Sequence, residues 1–305
     1  MPNFDQALCF MQGRPLAPDL LDDLTESCLD HSTTELQKRF AEEQYLYLKN
    51  VFSREQIDKV RTEVFSRLYS VGEISSPGTD GIFTGKSNRA DVPEGLGEFW
   101  RSISLGPALR ALSHGEQMAE LTGRLFGEPA VAHDYIFLRP AVPGRSTHLH
   151  YDHPFFARGS DKIVTAWTAY GDIPVEQGPL LVVDQSFGFT DLVEASQSVD
   201  YESNETPLVQ IMQDPGKLAR DRGVKLKTAN FSAGDVILFS MTLLHGSLDN
   251  RSRSGRVRLS SDVRWQPARD PVDPRYTGDN PAGTTGAGYS ELNGAKPLTV
   301  DWHQR

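Results

Sequence analysis

From His133 onward the chain changes period. Short runs in which apolar and polar residues alternate are separated mostly by Gly or Pro, and this constrains the fold more than any other feature. Such runs cover Tyr135 to Arg139, Thr147 to Asp152, Ile163 to Tyr170, Pro179 to Val183, Val236 to Phe239 and Arg256 to Trp265. A period of two puts one face of a strand on a core, and several short strands in succession suggest an antiparallel barrel or sandwich. Before His133 the texture is helical. Thr34 with Gln37 and Ser53 with Gln56 read as capping boxes, and after Ser53 the residues Ile57, Val60, Val64 and Leu68 recur at helical spacing until Gly72. Tyr45 to Leu48 reads as a short strand, and helical patterns return from Pro107 to Phe126.

The expected organisation is one domain over residues 1–305, with a helical lead-in at 1–132, a strand core at 133–265 and a tail at 266–305. Glu73 to Gly95 is rich in Gly, Ser, Pro and charge and too long for an ordinary connection, so it is expected as a mobile lid or a disordered loop. Residues 187–227 interrupt the strands with polar and charged residues and read as an insertion. The tail beyond Pro267 is expected to wrap the surface or cover a pocket.

Composition removes several functions. The 41 acidic and 31 basic residues give a formal charge of −10, a poor balance for neutralising many phosphates, so no nucleic-acid partner is expected. No apolar run approaches a membrane span and the N-terminus lacks the pattern of a secretory signal, so no membrane partner is expected either. Cys9 and Cys28 are the only cysteines, too few for a thiolate cluster or a disulfide framework. A reducing cytoplasm is assumed, and any metal must be held by His and carboxylate.

The densest chemical signal is the segment Arg145-Ser-Thr-His-Leu-His-Tyr-Asp-His153. In an extended chain His148, His150 and Asp152 share one side, so His150 and Asp152 can chelate one ion. A third ligand is needed, and His245 is the best candidate, because a turn and strand at Ser232 to Phe239 deliver it to a barrel mouth. Two imidazoles and one carboxylate on one side of an ion leave the opposite positions open, which suits iron(II) that also binds a chelating co-substrate and dioxygen. Taken alone, a His-x-Asp pair arises often by chance, and a lone His245 is more often an ordinary hydrogen-bonded histidine. The segment after His245 adds weight. Arg256, Arg258, Ser260, Asp262 and Arg264 fall on one face of a strand, and arginines pointing into a barrel need anionic partners. A dicarboxylate supplies one, through the paired charge-assisted bonds of a guanidinium and a further bond from a hydroxyl such as Ser260. The ordinary alternative is a solvent-facing strand.

These residues resemble the phytanoyl-CoA dioxygenase family of iron(II)- and 2-oxoglutarate-dependent oxygenases. The resemblance runs from Glu43 through Trp265 and rests on four segments: Thr147-His-Leu-His-Tyr-Asp152, Ile163-Val-Thr-Ala-Trp-Thr-Ala169, Glu176-Gln-Gly-Pro-Leu-Leu-Val-Val183, and His245-Gly-Ser-Leu-Asp-Asn250 followed by the arginines. It implies a mostly β fold with flanking helices, a double-stranded β-helix of the jelly-roll or cupin kind. It also implies that His150, Asp152 and His245 bind iron. For the distal carboxylate of 2-oxoglutarate both Arg256 and Arg258 fit, with Arg258 favoured by the Arg-x-Ser form it makes with Ser260. Trp167 matches a tryptophan lining the co-substrate pocket, and Thr147 and Tyr135 match polar contacts to the co-substrate. Val183-Asp-Gln-Ser186 departs from the Pro-Gly-Ser-His turn of many relatives, which affects the turn more than the iron.

The implied reaction consumes 2-oxoglutarate and dioxygen, releases succinate and carbon dioxide, and hydroxylates a C–H bond of a small metabolite or natural-product intermediate. Related halogenases have a small residue in place of the carboxylate, so Asp152 points to hydroxylation, with desaturation and ring chemistry left open by the sequence. Selectivity is expected from the loop at 73–95, the insertion and the tail. A zinc enzyme using the same three ligands and a non-catalytic binding barrel are the alternatives. Oligomeric state is not legible in the sequence.

Overall fold

A computed structural model describes residues 2–200, 203, 210, 211, 213–279, 281 and 296–300. The chain opens on a hairpin of β1 (Phe10–Met11) and β2 (Arg14–Pro15), followed by β3 (Leu21–Asp23), β4 (Glu26–Ser27), α1 (Thr33–Glu43), β5 (Tyr45–Leu48) and α2 (Arg54–Ser70). Next come α3 (Gly95–Ser104), α4 (Pro107–Ser113), α5 (Glu116–Phe126), β6 (Ala130–Ala141), β7 (Val164–Ala169) and β8 (Leu180–Val183). The last elements are α6 (Thr190–Gln197), α7 (Pro215–Arg222), β9 (Leu226–Thr228), β10 (Val236–Ser240), β11 (His245–Ser247) and β12 (Arg258–Pro267).

Two larger sheets result. One has six strands in the order β4-β5-β10-β7-β12-β6, and the other has four in the order β11-β8-β9-β3. Alternation along each strand assigns the faces. Leu46, Leu48, Leu138, Val164, Ala166, Val236, Leu238, Leu259, Val263 and Trp265 turn toward the helices and bury with Ile57, Val60, Val64, Phe65 and Leu68 of α2. The opposite residues, Tyr45, Tyr47, Trp167, Ala169, Ile237 and Phe239, pack on Leu180 and Val182 of the four-stranded sheet. Leu181 and Val183 face away, beneath Met11, Leu16 and Leu218. The layers are therefore helices, six-stranded sheet, four-stranded sheet, and a cover of N-terminal hairpin and α7. The fold is β-rich with flanking helices.

The sequence pattern locates most of these elements, and the departures have local causes. Ser53 and Gln56 form both bonds of the capping box that starts α2. The first helix is capped by Ser32, whose hydroxyl accepts from the Glu35 amide, and Thr34 lies inside it. The helical stretch expected from Pro107 to Phe126 is two helices, α4 and α5, divided at His114-Gly115, and α3 precedes them in a stretch where the sequence pattern named no element. Thr147 to Asp152 is not a full strand. Thr147 and His150 pair with Ser247 and His245 across the edge of β11. The chain then turns at Asp152 (φ −76°, ψ −22°) into a short 3-10 helix over His153–Phe155, started by Pro154.

The stretch from Glu73 to Gly95 is tied down at several points. Glu73 and Arg89 form an ion pair whose side chains are fully buried. Arg61 donates to the carbonyls of Thr79 and Tyr170. Gly81 and Phe83 exchange backbone bonds with Val257 and Gly255, just ahead of β12.

Candidate metal centre

His150, Asp152 and His245 are buried, and one ligand atom from each lies within 4.8 Å of the others. His150 and His245 are opposite each other in an antiparallel bridge, exchanging amide-to-carbonyl bonds of 2.9 and 3.1 Å. Their rings therefore project side by side, 4.3 Å between centroids. Each Nδ1 lies against a carbonyl, that of His148 at 2.8 Å and that of Leu243 at 3.0 Å. A carbonyl only accepts, so each Nδ1 carries the proton and each Nε2 presents a lone pair. Burial, followed by the neighbouring His150, pushes the His245 pKa down to about 4, which keeps that ring neutral at physiological pH.

Asp152 completes the group because of the turn, not because of strand alternation. Its Oδ1 stands 3.6 Å from His150 Nε2 and 3.8 Å from His245 Nε2. Its Oδ2 accepts from Thr165 Oγ1 at 2.5 Å and from Arg264 at 2.7 Å. Burial alone would raise this carboxyl's pKa, but Arg264 and the two histidines outweigh it and hold the group well below the usual carboxylate range.

Backbone contacts hold the ligand-bearing segments together. Tyr151 donates to the Ser186 carbonyl at 2.9 Å, and Ser186 Oγ accepts from the Leu244 amide at 2.8 Å, so the Val183 to Ser186 turn fastens residues next to all three ligands. A Cβ on Gly246 would lie 2.7 Å from the Thr147 carbonyl oxygen and 3.1 Å from that of His148. Gly246→Ala is therefore expected to push the two segments apart and cost about 1–3 kcal/mol, read as a lowered Tm together with weaker metal binding. An unchanged Tm would show that the segments can separate freely.

β12 carries the candidate co-substrate contacts, and the structure separates them. Arg258, Ser260, Asp262 and Arg264 are buried. Arg256 lies ahead of the strand with a side chain 45% exposed, 3.9 Å from Asp80. That placement takes Arg256 out of the buried row. Arg258 donates to the carbonyl of Gly178, a glycine with φ +70° packed against the Leu248 carbonyl. Arg258 Nε and Ser260 Oγ are buried without a partner among the described residues. Two adjacent donors left unpaired in a closed interior are what a carboxylate would satisfy. Trp167 sits opposite Asp262 in the β7–β12 register and against Phe231, 4.8 Å between ring centroids. Thr147 is half-buried and joined to Ser247 through its backbone. Tyr135 is half-buried and packs on Phe137 and Tyr276.

Three groups were not singled out in the sequence. Arg139 is buried and donates to Asp262. Thr165 holds Asp152. The Arg264 guanidinium lies in the corner formed by the faces of Phe137 and Phe156, 4.5 Å from each ring centroid. Arg139 and Thr165 lie on strands beside β12 and face the same way as its buried row. Reading alternation across paired strands instead of along one would have found both. In this interior three guanidiniums, those of Arg139, Arg258 and Arg264, face two carboxylates, those of Asp152 and Asp262, an excess of one positive charge that favours an anion.

The phytanoyl-CoA dioxygenase (PhyH) family profile matches residues 42–258, from just before β5 through Arg258. The chain belongs to the phytanoyl-CoA dioxygenase family. As a member of that family, with the His150, Asp152 and His245 group assembled, it is an iron(II)- and 2-oxoglutarate-dependent dioxygenase. The zinc alternative finds no support. No curated protein matches the chain. Among solved structures this phytanoyl-CoA dioxygenase family member is similar to SnoK, a non-heme α-ketoglutarate-dependent carbocyclase from nogalamycin biosynthesis. The identity is 20% and the TM-score 0.52, over 84% of this chain and 92% of that one. It is similar to the epimerase SnoN in complex with Fe3+, α-ketoglutarate and nogalamycin RO, at 21% identity and TM-score 0.51, over 84% and 96%. It is also similar to EctD from S. alaskensis with 2-oxoglutarate and 5-hydroxyectoine, at 16% identity and TM-score 0.53, over 92% and 87%. At these identities the likeness is one of fold.

Proposed function

We propose that this dioxygenase hydroxylates a C–H bond of a small-molecule metabolite or natural-product intermediate. His150, Asp152 and His245 hold iron, and Arg258 with Ser260 anchors the distal carboxylate of 2-oxoglutarate. The observation that carries this reading is the convergence of two Nε2 lone pairs and one carboxylate oxygen in a protein that also buries Arg258 Nε and Ser260 Oγ with no partner among the described residues. Substrate, 2-oxoglutarate and dioxygen would give hydroxylated substrate, succinate and carbon dioxide, a balanced exchange of atoms and electrons. Bound iron would supply the redox chemistry of dioxygen activation.

The chain's own residues do the rest. The carbonyls of His148 and Leu243 fix the histidine tautomers. Arg258 would orient the co-substrate so that its other end faces the ligands. Trp167 and Phe239, packed between the sheets, exclude water from this side. On the other side Phe155 lies edge-on to His150, 6.3 Å between centroids, and continues into Phe156 and Tyr276 with Tyr135 and Phe137 beside them. That aromatic wall suits an apolar, ring-bearing substrate. The half-buried Tyr135 belongs to this wall, so a substrate contact replaces the co-substrate contact expected of it.

The two facing sheets support a double-stranded β-helix within a single domain. The described residues contain no helix long and apolar enough to cross a membrane. Cys9 and Cys28 are both free.

Anaerobic addition of iron(II) and 2-oxoglutarate is expected to give a visible charge-transfer band, and oxygen to give succinate. Loss of the hydrogen-bond partner of a ligating histidine typically costs about 10–100-fold in metal affinity or activity. His245→Ala, which removes a ligand itself, is expected to cost more than that and to abolish both signals. No band together with stoichiometric zinc in the purified protein would overturn the proposal.

A further inference from the structure

Asp152 has two oxygens in different surroundings. Oδ1 faces the two Nε2 atoms, whereas Oδ2 is held from behind by Thr165 and Arg264. Arg264 is placed with care for this one contact. It is 3% exposed, its guanidinium lies against the faces of both Phe137 and Phe156, and its Nε and Nη1 find no partner among the described residues. The β6–β12 register shifts between Val263 and Trp265, so β6 bulges opposite Arg264. Bulges of this kind re-aim side chains beside functional sites.

We propose that Arg264, assisted by Thr165, is a positioning residue that keeps Asp152 a one-oxygen ligand and so holds open the metal position its second oxygen would otherwise take. The inference rests on the reading of His150, Asp152 and His245 as the iron ligands. A six-coordinate ion with three protein donors keeps three positions, two for the chelating 2-oxoglutarate and one for dioxygen. A carboxylate freed to bind through both oxygens removes one of the three. Two charge-assisted bonds to Oδ2, from donors fixed by a β-strand and by two aromatic rings, oppose that rotation.

The signs separate this role from simple structural support. In Arg264→Met the metal loses a neighbouring cation and gains a carboxylate oxygen, so cobalt(II), titrated through its visible absorption, is expected to bind at least as tightly as to the wild type. Nitric oxide, a dioxygen surrogate added anaerobically to the iron(II) and 2-oxoglutarate complex, is expected to bind at least tenfold more weakly, read from its electron paramagnetic resonance signal. Arg264→Lys, which keeps the charge and a donor, is expected to recover most of the nitric oxide affinity. Thr165→Val, which removes only the second bond, is expected to shift both in the same directions by a few-fold. Weaker cobalt binding with unchanged nitric oxide affinity, or wild-type values of both in any folded Arg264→Met or Thr165→Val protein, would overturn the proposal. Should Arg264→Met fail to fold, Thr165→Val decides alone. Absence of cobalt binding by the wild type is a separate result, which would overturn the metal reading and this inference with it.

Discussion

Arg258→Ala is expected to raise the half-saturating concentration of 2-oxoglutarate by between about 30-fold and several thousand fold, while Arg256→Ala leaves it within about twofold. Truncating one partner of a buried, hydrogen-bonded charge pair costs about 2–5 kcal/mol, and each 1.4 kcal/mol is about tenfold. Arg258 is 2% exposed with an unpaired Nε, whereas the side chain of Arg256 is 45% exposed and its carboxylate neighbour, Asp80, is itself 70% exposed. An arginine kept only for stability would show the opposite effect on the protein without co-substrate. Burial, followed by the nearby Arg139, pushes the Arg258 pKa down to about 10. At neutral pH the side chain is charged both folded and unfolded, and the folded state accommodates that charge less well. Arg258→Ala or Arg258→Met should therefore leave the Tm of the co-substrate-free protein unchanged or raised, and abolish the further rise that 2-oxoglutarate gives the wild type. A raised half-saturation in Arg256→Ala with none in Arg258→Ala would reverse the assignment.

This strand also shows how far the sequence carries. Alternation along 256–264 put Arg258, Ser260, Asp262 and Arg264 on one face, and all four are buried on that face. It put Arg256 there too, because a period of two has no means of marking where pairing with neighbours begins. β12 starts at Arg258, and the preceding residues pair instead with Gly81 to Phe83. Asp152 is the converse case. The candidate ligand was legible from His-x-Asp spacing, but the strand geometry invoked for it was not the one used, since Pro154 starts a 3-10 turn that swings the carboxylate back toward His150. Arg139 and Thr165 carry no spacing signal of their own, and they join the site only through the lateral pairing of β6, β7 and β12. The stretch from Glu73 to Gly95 was the least legible part. Its Gly, Ser, Pro and charge content is that of a solvated loop, and nothing local distinguishes a solvated Glu or Arg from one destined for a partner in the interior.

That partner gives the second large effect. Glu73→Gln and Arg89→Met are each expected to destabilise the protein by about 3–5 kcal/mol, because either leaves the other charge buried and uncompensated. At roughly 2 °C per kcal/mol for a chain of this size, the Tm falls by about 6–10 °C. The pair is more than an isolated bridge. Glu73 Oε1 accepts from Ser87 Oγ at 2.7 Å and from the Leu298 amide at 2.8 Å, and Arg89 donates to the Lys296 carbonyl at 2.8 Å beneath Phe99 and Trp100. Leu298 is itself part of the core between helices and sheet, and its carbonyl accepts from Arg145 at 2.6 Å, five residues before His150. One buried carboxylate thus fastens the 73–95 stretch, the 296–300 segment and the approach to the metal ligands. The double variant Glu73→Leu/Arg89→Leu removes both charges together and is expected to recover most of the loss of either single change, as replacement of a whole buried pair by apolar groups usually does. Thermal unfolding of the two singles and the double checks both expectations. Single variants within about 1 kcal/mol of the wild type would mean that water reaches the pair, and that the 73–95 stretch opens far enough in solution to serve as the lid its composition suggests.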